Sequence, residues 1–315
     1  MNPPTGRRAE LADPRVPVPA PTAADPGGSG RAAVVRRWIA RVGRPVVAVA
    51  LVGAVTWAAV RQWDAVRGTV TAIEVPHLVL ALLLAMAGML ANVMAFNAVL
   101  GALGTRVHPV EAGRCYLVGQ IGKYLPGSVW AFVLQMELAK RAGVPRVNGF
   151  TATVVTLALS IASALVIGLI GLRHLFEVGG AAPWLVLGLL PVVVVCALPP
   201  VLTRLVDLAL RLMRRRPLPR PLGWGHVGAV LGWTSLAWVL FGTHLWMLTT
   251  SEAASGAGGW VQSLGVFALA MTAGSLALVA PSGIGVREAI VVAALAPVVP
   301  VGVALGLALA SRLVF

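Results

Sequence analysis

Hydrophobic runs of about 20 residues recur along this chain, and nothing else in the sequence restricts its fold so tightly. His77 to Leu100, Gly149 to Leu172 and Val227 to Leu248 are three of them. A helix rises about 1.5 Å per residue, so each run matches a hydrocarbon layer about 30 Å thick. Of the 315 residues, 58% are hydrophobic and only 11% charged, and the mean hydropathy is +0.87. A water-soluble domain of this size needs a far more charged surface. The expectation is an all-α, polytopic integral membrane helix bundle with about 7 spanning helices plus re-entrant half-helices.

The net charge of +14 would suit a nucleic-acid binder, but its location argues otherwise. Residues 1–44 carry eight Arg against Glu10, Asp13 and Asp25, and the segment from Arg204 to Arg220 carries six Arg against Asp207. Elsewhere Arg61 and Arg67 offset Asp64 and Glu74, Arg173 offsets Glu177, and the loop around Glu252 has no base. Alternate loops are basic, the positive-inside pattern of a multi-pass protein of the cytoplasmic (inner) membrane with a cytoplasmic N-terminus. Anionic inner-leaflet lipid at Arg204 to Arg220 accounts for the rest of the surplus, and no nucleic-acid partner is expected.

Residues 1–30 are rich in Pro, Ala, Gly and Arg and have no apolar segment, which predicts a disordered cytoplasmic tail. The transmembrane domain is expected over 31–315. Its crossings run from Pro45 to about Gln62, His77 to Leu100, Gly149 to Leu172, Pro183 to Leu202, Val227 to Leu248 and Val261 to Val279. The basic segment at 203–226 contains, over Thr203 to Arg216, Leu205, Leu208, Leu212 and Met213 with arginines between them. That pattern fits an amphipathic helix on the inner leaflet or a charged loop. Beyond Arg287 an apolar run holding Pro297 and Pro300 is expected to split into a short helix and the start of another. It stops at Phe315 within apolar sequence, which reads as a fragment or an early end of the reading frame.

Two stretches break this regularity. The first spans Gly119 to Trp130, where Gly122, Lys123, Tyr124, Pro126, Gly127 and Ser128 interrupt helix periodicity. Basic loops on both sides of residues 115–138 require an even number of crossings from about 24 residues, too few for two full spans. A re-entrant pair of half-helices hinged at Pro126-Gly127 satisfies both demands; a single flat interfacial helix is the alternative. Ser128 can cap the following half-helix, leaving free backbone N–H groups beside Lys123, a ready anion site.

The second break, Ala280 to Glu288, repeats the logic. Pro281 and Gly283 interrupt, Ser282 can cap, Gly285 permits a tight turn, and Arg287 supplies a fork suited to phosphate. Neighbours on a helix point about 100 degrees apart, so Arg287 and Glu288 do not simply neutralise each other; Lys123 is the partner this reading names for Glu288. Two interrupted segments in the two halves of a membrane protein point to a substrate site between them. The plainer reading is two kinked helices whose charges reach the interface.

No catalytic residue is expected, since no nucleophile elbow, zinc-protease helix, phosphate loop or dinucleotide fingerprint occurs. No metal or cofactor is expected either. Cys115 and Cys196 lie in or beside apolar sequence without metal-ligand spacing, and His77, His108, His174, His226 and His244 are scattered, mostly at predicted helix ends.

The motifs Gly119-Gln120-Ile121-Gly122-Lys123-Tyr124-Leu125-Pro126-Gly127-Ser128-Val129-Trp130, Ala139-Lys140-Arg141-Ala142-Gly143 and Pro281-Ser282-Gly283-Ile284-Gly285-Val286-Arg287-Glu288-Ala289 make the chain similar to a known family. It resembles the lysylphosphatidylglycerol synthase transmembrane-region family, the flippase-like membrane portion of the multiple peptide resistance factor and its stand-alone relatives. The resemblance covers about residues 35–315 and implies re-entrant helices and movement of an anionic or aminoacylated lipid between leaflets. It does not imply lysyl transfer, which belongs to a separate soluble domain in the full-length synthases. Relatives usually carry further helix after the Gly285-Val286-Arg287-Glu288 motif.

The expected function is therefore a flippase-like protein of the cytoplasmic membrane, and not an enzyme. In it Lys123 and Arg287 attract a lipid phosphate, and the helix starts after Pro126 and Pro281 complete the anion site. Glu288 balances charge or meets an amine, and Tyr124 and Trp130 flank the headgroup. The alternative is a non-catalytic membrane partner that supplies lipid to a separate glycosyl- or aminoacyl-transferase. A transferase or a second copy of the chain is a candidate partner.

Overall fold

A computed structural model describes residues 60–121, 130–169, 182–212, 221–249, 256–276 and 283–315, with Gly53, Thr56, Trp57, Arg214, Arg215, Pro217 and Leu218 beside them. The expected tail at 1–30 and most of the crossing at 45–62 lie outside these residues. Eleven helices and no strand occur among the described residues. In chain order they are α1 (Trp63–Ala72), α2 (Val75–Ala102), α3 (Pro109–Gln120), α4 (Trp130–Arg141), α5 (Arg146–Gly168) and α6 (Ala182–Ala197). They continue as α7 (Pro199–Leu212), α8 (Trp224–Leu248), α9 (Gly256–Leu276), α10 (Val286–Leu295) and α11 (Val301–Val314).

Among the described residues α2, α5, α8 and α9 are long and apolar enough to cross a membrane, and α6 with α7 makes a fifth crossing if that bent pair is one span. The helix α2 shows how a bilayer protein distributes its side chains. Leu78, Leu82, Leu83, Met86 and Leu90 are exposed, while Ala81, Ala85, Gly88, Ala95, Phe96 and Val99 face the bundle. Lipid is as apolar as leucine, so large apolar side chains lose nothing by facing out, and small ones inside let helices approach. Pro76 occupies the first turn, where its missing N–H is not needed. The other end closes with Thr105 N–H donating to Leu100 O at 2.9 Å and Gly104 N–H to Gly101 O at 3.0 Å.

The central helix is α8, which packs on α2, α5, α9 and α11. It comes close to the backbone of α9: a Cβ added to Gly242 would lie 2.4 Å from Leu264 Cα. Gly168 on α5 meets Leu269 in the same manner, and Gly306 on α11 meets Thr69 on α1. Polar contacts join the helices inside the apolar layer. Ser163 and Thr234 hydroxyls are 2.7 Å apart, and Trp238 Nε1 donates to Ser160 O at 2.9 Å. Trp260 Nε1 donates to Thr243 Oγ1 at 2.9 Å, and Gln262 Nε2 to Ala294 O at 3.2 Å.

The expected crossing from Pro183 to Leu202 is instead divided. The break comes at Leu198, the pair bends by 82°, and the basic amphipathic helix begins at Pro199 rather than Thr203. Pro199 and Pro200 explain the difference, because proline suits the first turn of a helix and disfavours the helical conformation of the residue before it, here Leu198. On α7, Leu202, Val206 and Leu210 are buried, whereas Arg204, Leu205, Leu208, Arg211 and Leu212 are exposed. Asp207 Oδ1 accepts from Leu218 N–H at 2.8 Å and Thr203 Oγ1 from Leu222 N–H at 3.1 Å, which ties the following connection to the helix.

The final apolar run splits as its prolines dictate, into α10 and α11 joined by a turn that ends at Pro300.

Gly242→Ala should destabilise the protein by about 1–3 kcal/mol by forcing α8 off the α9 backbone. Gly228→Ala, on an exposed face of α8 with nothing within 4 Å of the added Cβ, should be neutral or stabilise by up to about 1 kcal/mol. Thermal melting in detergent micelles compares the two.

Candidate functional site

The second break builds a buried polar centre. Gly283 and Gly285 have φ of +67° and +87°, left-handed conformations that side chains disfavour. A Cβ on Gly283 would also lie 2.8 Å from Gly274 Cα, so the interrupted segment sits directly against the backbone of α9. From this turn α10 starts with Arg287 and Glu288 in its first turn, both buried.

Glu288 reaches back over the helix start. Its Oε2 accepts from Gly285 N–H at 2.7 Å, and its Oε1 accepts from Arg312 Nη1 on α11. The carboxylate thus lies where the helix dipole favours negative charge and opposite a cation from the next helix. The side chain of Glu288 is 3% exposed and that of Arg312 26%, so the pair spans from the interior toward the edge of the bundle.

Arg287 turns the other way. Its Nη2 donates to Ser311 Oγ at 2.9 Å, and its guanidinium carbon lies 5.0 Å from the centre of the Phe267 ring and 5.2 Å from that of Phe315. Ser311 Oγ is also 3.0 Å from His244 Nε2, and His244 Nδ1 contacts Phe241 O. A carbonyl only accepts, so Nδ1 carries the ring proton, Nε2 accepts from the serine hydroxyl, and the serine oxygen receives Arg287. One continuous relay of hydrogen bonds therefore runs from Arg287 to the backbone of α8. His244 is fully buried within α8, an exception to the expectation that the histidines lie mostly at helix ends: its hydrogen bonds replace the water an interfacial ring would use.

The first break is flanked by α3 and α4, each 12 residues long and so about 18 Å, too short to cross alone. They pack on each other, α3 against α2 and α4 against α5. Their contact is close at Gly119, where an added Cβ would lie 2.9 Å from Gln135 Cβ. The hinge residues Lys123, Tyr124, Pro126, Gly127 and Ser128 lie outside the described residues, as do Pro281, Ser282 and the side chain of Trp130.

Of the expected site, Gly283, Gly285, Arg287 and Glu288 are brought together. Among the described residues Glu288 pairs with Arg312; Lys123, the partner expected from the sequence, lies outside them. Arg312, Ser311 and His244 were missed, although a lone arginine in an apolar run is itself a signal that an interior partner exists. Also missed were Gln120 and Gln135, whose Oε1 and Nε2 are buried beside the first break without a hydrogen-bond partner among the described residues. No group of His, Cys, Asp or Glu with metal-binding geometry occurs among the described residues.

An all-helical bundle with broken helices and ionised groups held inside it defines a polytopic integral membrane protein. Residues 45–314 match the family model described as the lysylphosphatidylglycerol synthase TM region, and the chain belongs to that family. No curated protein matches the sequence.

Glu288→Ala should destabilise the folded protein by about 3 kcal/mol, because it leaves the Arg312 cation without its counter-charge. Adding Arg312→Leu should recover part of that loss. Chemical denaturation in mixed micelles measures both, and a double variant whose loss equals the sum of the single losses would show that the two side chains are not coupled.

Proposed function

We propose that this protein binds the headgroup of an anionic or aminoacylated phospholipid between its two helix breaks and carries it across the cytoplasmic membrane as a transporter rather than an enzyme. The observation behind this reading is the centre at Arg287, Glu288 and Arg312. Ionised side chains inside a membrane bundle are costly, and where they persist they commonly mark the path of a polar substrate. The family description points to the same lipid class.

Arg287 offers the planar fork that suits a phosphate, and one of its contacts, to the Ser311 hydroxyl, is to a neutral group. Lys123 supplies the second cation from the first break. The helix starts after Pro126 and Pro281 add backbone donors, although at α10 one of these is already taken by Glu288. Glu288 is the group that can meet the amine of an aminoacylated headgroup, by exchanging Arg312 for it. Gln120 and Gln135 offer amide groups to headgroup hydroxyls, and Tyr124 and Trp130 flank the headgroup at the interface. Movement of the headgroup then requires only that these contacts exchange partners within a wall that already accommodates charge.

In proteoliposomes the protein should flip headgroup-labelled phosphatidylglycerol. Lys123→Ala and Arg287→Lys should each slow flipping by about tenfold or more, since a charge-assisted contact contributes about 1.5–3 kcal/mol. Unchanged rates at equal incorporation would overturn the site. A native protein that moves no lipid, yet co-purifies with a transferase, would overturn transport itself and favour a lipid-supplying partner.

A further inference from the structure

Away from both breaks, the bend between α6 and α7 opens a second feature. The two helices and α5 enclose a half-open cavity of about 360 Å³. Its wall is almost wholly apolar and includes Val154, Ala158, Val193, Cys196, Leu205 and Ala209. The volume falls within the range of ~300–1,000 Å³ typical of small-ligand pockets. An apolar hollow of this kind forfeits packing contacts along its walls unless something fills it.

The identity of the occupant is written around the circumference of α7. At 100° per residue, Arg204 and Arg211 fall on one stripe and the exposed Leu208 and Leu212 on the next. Leu205 and Ala209 follow at the mouth of the cavity, and Leu202, Val206 and Leu210 form its wall. Passing round the helix from charge to depth therefore crosses, in order, guanidinium groups, exposed leucine and an apolar slot. A phospholipid presents the same sequence from phosphate to acyl chain. A protein ligand would have to bury unsatisfied backbone groups in a slot with almost no polar partners, so it fits poorly.

We propose that this cavity seats one acyl chain of an anionic phospholipid whose phosphate rests on Arg204 and Arg211. It is a lipid site separate from the helix breaks, and its occupancy does not depend on whether the protein transports lipid. A chain held there wedges α7 against α5 and α6, so the 82° bend is maintained by lipid as well as by protein contacts.

The test uses the full chain in nanodiscs containing either phosphatidylglycerol or phosphatidylcholine with a diazirine in one acyl chain. Photolabelling should concentrate on peptides carrying Ala158, Cys196 and Ala209, and more strongly for phosphatidylglycerol. Ala158→Trp, which fills the slot, should remove that labelling while labelling of Leu82 and Met86 on the outer face of α2 persists. The exposed pair Arg204→Gln and Arg211→Gln, whose effect on folding is small, should lower phosphatidylglycerol labelling to the phosphatidylcholine level. Cavity labelling no stronger than that of α2, or equal for both lipids, or unchanged in both variants, would overturn the proposal. None of these readouts involves flipping, so failure here and failure of transport are distinguishable.

Discussion

The contact between Glu288 and Arg312 is the interaction on which the C-terminal half of the bundle depends. A carboxylate that is almost wholly buried needs both a counter-charge and hydrogen-bond donors. Arg312 supplies the first, and the turn at Gly285 supplies one of the second. This arrangement explains why α10 begins with a left-handed glycine, why α11 returns alongside it, and why the turn at Gly283 lies against Gly274. Arg287, Ser311 and His244 extend the same satisfaction of polar groups into α8. The broken helix is thus sustained by a network that crosses three helices, and a kink with charges directed at solvent does not describe it.

Around that network the packing follows the rules of a bilayer. Glycines at 88, 168, 242 and 306 admit a facing side chain or backbone at distances no Cβ could share, while leucines and valines cover the outside. Serine and threonine hydroxyls, with two tryptophan indoles, link helices where apolar attraction is the same toward lipid as toward protein. The cavity beside α7 is the exception in this close packing, and it lies beside the arginine stripe of that helix. The second helix break and the bend before α7 share one physical device, a helix end at which polar and apolar chemistry meet.

Much of the architecture was legible in the residues. Run length located α2, α5, α8 and α9, and the prolines at 297 and 300 foretold the split between α10 and α11. The limit of the crossing at Leu198 was less visible, since hydropathy continues smoothly across Pro199 and only the proline pair signals the bend. The site was half legible. Gly283, Gly285, Arg287 and Glu288 stand out because they violate helix and membrane preferences at once. Their partners do not, because Ser311 and His244 are ordinary in helices, and the contact of Arg312 with Glu288 depends on α11 folding back over 24 residues of chain. Sequence spacing carries no record of that return.

Movement of a lipid headgroup through this bundle requires that the charged centre open to it. The most direct measurement is an experimental density map of the protein in nanodiscs containing phosphatidylglycerol. Headgroup density between Lys123 and Arg287, with Arg287 turned from Ser311 toward a phosphate, is the predicted result. A map that keeps Arg287 on Ser311, and shows lipid only around the outer faces of the helices, would contradict it.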